Sequence, residues 1–94
     1  MKKSGSTIDV TAQSGGEYLV SVSDARGRTE HRVTVGAAEL ERYASGADPE
    51  RLLRASFEFL LEREPKESIL GSFPISTIER YFPEYPGEIR RRLG

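Results

Sequence analysis

Strict alternation of apolar and polar side chains between Ile8 and Val35 constrains this chain more than any other feature. A period of two places every apolar residue of a strand on one side of a sheet. Ile8, Val10 and Ala12 share a face of a first strand, Tyr18, Val20 and Val22 of a second, and His31, Val33 and Val35 of a third. A three-residue loop Ser14-Gly15-Gly16 sets Gln13 opposite Glu17, and so pairs Ala12 with Tyr18, Val10 with Val20 and Ile8 with Val22. The second turn, within Asp24-Ala25-Arg26-Gly27-Arg28, needs an even-length loop, with Val22, Val20 and Tyr18 opposing His31, Val33 and Val35; a three-residue loop would turn Glu30 and Arg32 into the core. The reverse face carries Asp9, Thr11, Ser21, Ser23, Glu30, Arg32 and Thr34, with Leu19 its one large apolar residue, and is expected to stay wet. The expected sheet is a three-stranded antiparallel meander over residues 6–35 with the first and third strands as its edges.

A sheet dry on one side must be covered, and from Gly36 the spacing turns helical. Leu40, Tyr43 and Ala44 form a short stripe within Ala37 to Ser45, and Gly46 stands at the left-handed C-cap position. Asp48 as N-cap, Pro49 at the first helical position and Glu50 near the positive helix end open the strongest helix. Its stripe is Leu53, Phe57, Leu60 and Leu61, widened by Leu52, Ala55 and Phe59, which predicts a central place against the sheet; Pro65 ends it. Shorter pieces follow: a turn of helix over Glu67 to Leu70 stopped by Gly71, a helix near Ile75 to Phe82, and another from about Pro86 to Leu93 with Tyr85, Ile89 and Leu93 on one side. The fold class is therefore α+β, a three-stranded antiparallel meander followed by a C-terminal helical cap on one face. It forms a single domain over 1–94, with residues 1–5 as a flexible N-terminus.

Composition narrows function mostly by exclusion. With 94 residues, 36% hydrophobic and 31% charged, there is material for one core. Lys plus Arg number 14 against 15 Asp plus Glu, a net charge of -1, not the basic excess of a typical nucleic-acid or anionic-membrane binder. Cysteine is absent, which removes disulfides, thiolate nucleophiles and Cys-based metal sites. The opening stretch Lys2 to Thr7 is polar and no apolar run approaches the length of a signal peptide or membrane span, so the chain reads as cytoplasmic, without cofactor or metal.

The run ASFEFLLEREPKESIL, residues 55–70, followed by FPISTIERYFPEYPGEIRRRL, residues 73–93, resembles a family of small uncharacterised bacterial proteins, with Val33-Thr34-Val35 as a weaker echo. The resemblance implies a bacterial cytosolic protein of α+β build and brings no catalytic or binding residue with it.

Five features could carry chemistry. His31, the only imidazole, falls on the core-facing side opposite Val22 near the second turn, where a ring can pack with one nitrogen reaching solvent; no second His and no Cys exists to join it on a metal. Glu58, Glu62 and Glu64 lie beside Arg54, Arg63 and Lys66, the pattern of a solvated helix face. The clusters Ser14-Gly15-Gly16 and Arg26-Gly27-Arg28 have hairpin-turn spacing, not that of a phosphate-binding loop. Residues 67–82 loosely resemble a helix-turn-helix, with Arg90, Arg91 and Arg92 available for phosphates; against this, residues 48–94 hold 8 basic and 9 acidic side chains. Finally, Arg80, Tyr81 and Tyr85 with Arg90, Arg91 and Arg92 compose an aromatic and arginine-bearing C-terminal surface, residue types enriched at interface hot spots. The expected function is a small, non-catalytic protein-interaction or adaptor protein working through that surface, as a monomer or weak homodimer with an unknown protein partner. The alternative is a nucleic-acid-binding regulator using 67–92.

Overall fold

In the computed structural model, residues 5–94 are described; residues 1–4, most of the expected flexible N-terminus, lie outside them. The alternating segment forms β1 (Thr7–Ala12), β2 (Glu17–Asp24) and β3 (Gly27–Thr34), antiparallel in sequence order. The first hairpin has the expected register: Ile8 faces Val22, Val10 faces Val20 and Ala12 faces Tyr18. Its loop closes with the Gln13 N–H on the Glu17 carbonyl at 2.8 Å. Gly15 and Gly16 both adopt positive φ, and a Cβ on Gly16 would stand 3.1 Å from the Val35 carbonyl oxygen, so this corner accepts glycine alone without strain.

The second hairpin keeps the dry face but slips by two residues from the expected register, so that His31 opposes Val20, not Val22. The loop is Ala25-Arg26, half the length the expected pairing required. Asp24 explains the shortening: its Oδ1 accepts the Arg26 N–H at 2.8 Å, an Asx turn that tightens the reversal, and Gly27 takes up the positive φ.

The sheet has four strands, not three, and is mixed. A three-residue strand β4 (Ser72–Pro74) runs parallel to β3, pairing Val33 with Phe73, to give the order β1-β2-β3-β4. Two flanking bonds lock it: Arg32 N–H to the Gly71 carbonyl at 2.8 Å and Ile75 N–H to the Thr34 carbonyl at 3.0 Å. β3 is thus interior, and the edges are β1 and β4. The stretch expected as a helix over Glu67 to Leu70 is only a 3-10 turn, Lys66–Ser68. Residues 67–82 do not form a helix-turn-helix, because the chain between that turn and the next helix belongs to the sheet.

The helices are α1 (Ala37–Ala44), α2 (Pro49–Leu61), α3 (Thr77–Tyr81) and α4 (Tyr85–Leu93). α1 ends with Ser45 and Gly46 both left-handed, and α2 starts with Asp48 accepting the Glu50 N–H at 3.4 Å. α2 crosses the dry face as its stripe predicts: Leu52, Leu53, Phe57 and Phe59 are fully buried with Val20, Val22 and Val33 beneath them. α4 packs against α1 and α2 and adds Tyr85 and Ile89 to the same core.

Candidate functional site

The expected interaction surface divides once its residues are placed. Tyr85 is a core residue and leaves the proposed surface: it is fully buried, its ring 5.1 Å from that of Tyr43 and 5.3 Å from that of Phe59. Its hydroxyl lies 2.6 Å from Ser56 Oγ, which itself donates to the Leu52 carbonyl at 2.6 Å. The three arginines of α4 are engaged within the chain. Arg90 donates twice to the Arg42 carbonyl, at 3.1 and 3.3 Å, closing the C-terminal end of α1. Arg91 meets Glu88 at 2.8 Å; Arg92 meets Glu62 at 2.6 Å and lies 5.8 Å from the centre of the Phe59 ring. Glu62, held below the usual carboxylate range chiefly by its bond from Arg92, marks the strength of that contact. Three cations in the last turn of α4 also complement its negative end. Of the predicted surface only Arg80 and Tyr81 stand free of polar contacts among the described residues, while Arg90 and Arg91 remain exposed beside their partners.

Two buried polar pins hold the segment between α2 and β4. His31 is 2% exposed, against the expectation that one nitrogen reaches solvent. Its Nδ1 donates to the Leu70 carbonyl at 2.7 Å, and Nε2 lies 2.7 Å from Thr29 Oγ1. A carbonyl only accepts, so Nδ1 carries a proton, and the Thr29 hydroxyl pairs with Nε2. Lys66 is 3% exposed; its ammonium bonds Asp24 at 2.9 Å and Glu67 at 2.6 Å, tying the second hairpin to the 3-10 turn.

What these pins frame is a groove of about 410 Å³ between the end of α2, the loop before β4, and α3. Leu60, Phe73 and Ile78 form its apolar floor, with Phe82 at one wall; Leu70 and Tyr81 are its lips. Leu70 is 47% and Tyr81 65% exposed, the only large hydrophobic side chains so open among the described residues. One carboxylate, Glu64, also lines the groove. It sits just past α2 with its N–H on the Leu60 carbonyl at 2.9 Å, before Pro65. Its side chain has no ion pair or hydrogen bond among the described residues, and loss of hydration raises its carboxyl above the ordinary value. Of the three glutamates read as solvated, Glu64 therefore departs from the pattern. The sequence signal was available: a Pro65 stop turns the last residue before it off the helical face, but a single residue has no periodicity to reveal the direction.

The groove has a concave, mostly apolar character, with Glu64, Ser68, Thr77 and Tyr81 as its polar lining. No group of three His, Cys, Asp or Glu side chains among the described residues is placed to hold a metal ion, and no helix among them is long and apolar enough to cross a membrane. No protein-family model, curated protein or solved structure matches this chain.

Proposed function

We propose that this chain is a small, non-catalytic protein-interaction module, bacterial and cytoplasmic as its resemblance implies, which receives part of a protein partner in the groove between Leu70 and Tyr81. One observation carries the reading: the two most exposed large hydrophobic residues flank the same concave apolar surface, although they are 11 positions apart in sequence. Scattered apolar exposure is ordinary on any protein, whereas apolar lips over an apolar floor are what an interface leaves open when its partner is absent. Tyr81 suits a hot spot, being large, stiff and amphipathic. Cross-linking in cells that natively make the chain tests this. A discrete adduct should vanish in Leu70→Ser and Tyr81→Ser and persist in Ala25→Ser, which changes the hairpin turn outside the groove; an adduct indifferent to the lips sinks the proposal. Labelled DNA and RNA should give flat anisotropy titrations even at low salt, where a regulator using Arg90 to Arg92 would bind.

A further inference from the structure

We infer that the groove selects a peptide segment in which one Lys or Arg stands among apolar side chains, the cation meeting Glu64 while its neighbours cover the floor between Leu70 and Tyr81. The inference rests on the groove being an interaction surface and adds the chemistry of its occupant.

On the elements that build the groove, Arg80 of α3 is exposed and free but does not line the groove, and the other charges near it, Glu64 apart, are engaged within the chain. Arg63, next to Glu64, is turned away: it stacks 3.7 Å over the Phe59 ring centre and bonds Glu84 at 3.2 Å. Lys66, two residues on, is consumed by Asp24 and Glu67. On α3, Glu79 accepts from the Tyr43 hydroxyl and from Arg42, both at 2.8 Å. Each of these charges is matched inside the chain; among the described residues Glu64 is not, and it is the one ionic group of them lining the groove. A partly buried carboxylate can tolerate this while water still reaches it. An uncharged occupant that expelled this water would strand the charge, and an acidic or phosphorylated occupant would add repulsion. A basic side chain replaces the lost hydration and pairs with the carboxylate under reduced screening. Glu64 thus discriminates in both directions, favouring one ligand class and penalising the rest. Aliphatic stems of Lys and Arg fit this mixture, since they lie along apolar surface while the head reaches the charge.

The test uses the whole chain and a random peptide library displayed on phage, followed by anisotropy with the best synthetic peptide. Wild type should enrich apolar sequences holding a single Lys or Arg. Replacing that residue by norleucine should weaken binding about tenfold, a loss in the range of interfacial charge pairs. Glu64→Gln keeps the shape and removes the charge, so it should weaken binding of the basic peptide and strengthen binding of the norleucine peptide, which no longer strands a carboxylate. Three results are distinct. Basic-apolar enrichment that disappears in Leu70→Ser and weakens in Glu64→Gln supports both readings. Apolar peptides that need Leu70 but ignore Glu64 overturn the charge selection and leave the groove as interface. Absence of enrichment, or enrichment indifferent to Leu70 and Tyr81, overturns both.

Discussion

Tyr85 contributes through its ring and its hydroxyl, and the two can be separated. Its ring touches those of Tyr43 and Phe59 in the core, and its hydroxyl reaches Ser56. Tyr85→Phe keeps the ring, and Ser56 retains its bond to the Leu52 carbonyl, so the loss should be about 1 kcal/mol, seen as a fall in Tm of roughly 4–8 °C for a domain of this size. Tyr85→Ala also opens a cavity and should cost about 3–5 kcal/mol, as for other large aromatics. Tyr43 offers a pH signature. Burial, reinforced by its bond to the Glu79 carboxylate, pushes its phenol up to about 12 from an ordinary 10.0. The native state therefore keeps a proton that the unfolded chain releases first, and this part of the stability is complete below pH 10.0 and lost as the pH climbs toward 12. Glu79→Gln removes the charge that disfavours the phenolate, so the Tyr43 phenolate absorbance should appear at lower pH in that variant.

At the scale of elements, β4 is joined to the rest by the two pins. Asp24 and Glu67 are held below their ordinary values of 3.8 and 4.5, in each case chiefly by the hydrogen bond from Lys66. Their contribution is complete above those unfolded values and disappears as the pH falls through the lower folded ones. Lys66→Met should accordingly be less stable than wild type at neutral pH and should lose part of the wild type's extra sensitivity to acid, measured by urea unfolding across the acid range. Hydrogen exchange checks the fourth strand: Arg32 and Ile75 amides, bonded to Gly71 and Thr34, should exchange slowly. On the open edge the Arg54 guanidinium binds the Ile8 carbonyl, which marks the backbone N–H and C=O groups of Ile8, Val10 and Ala12 as pointing away from β2 while their side chains keep to the dry face, and the Val10 amide should exchange fast. These elements also show where sequence reading succeeds. Alternation over β1 to β3 and the caps of α2 are repeated, redundant signals, and they gave the dry face, the first register and the central helix. β4 is three residues ending in proline, too short for any period and recognisable only by its long-range partner β3. The slipped hairpin turned on one Asp24 side-chain bond, invisible to a face-matching argument that any even loop satisfies. At the C-terminus, the stripe of Tyr85, Ile89 and Leu93 was the sound signal for burial; clustered aromatics alone could not say which of Tyr81 and Tyr85 faces inward.

For the molecule as a whole, the fourth strand decides where the groove lies. By crossing back beside β3, the chain brings Phe73 into the core, leaves Leu70 exposed, and is followed by α3, whose Tyr81 lines the same groove as Leu70. Floor and lips then have different duties. Phe73 is 6% exposed and stacks near Phe57 at 6.3 Å, so Phe73→Ala removes core and should cost about 3–5 kcal/mol. Tyr81 buries about a third of its surface within the chain and Leu70 about half, and the Tyr81 hydroxyl makes no hydrogen bond among the described residues. Leu70→Ser and Tyr81→Ser should each fall within about 0.5 kcal/mol of wild type in denaturant titrations, and the pair should be additive. A larger loss would mean that the lips serve the fold, and their exposure would cease to speak for a partner. If stability is untouched, the fold does not account for two large apolar side chains lining one groove, and the proposed partner contact keeps its support.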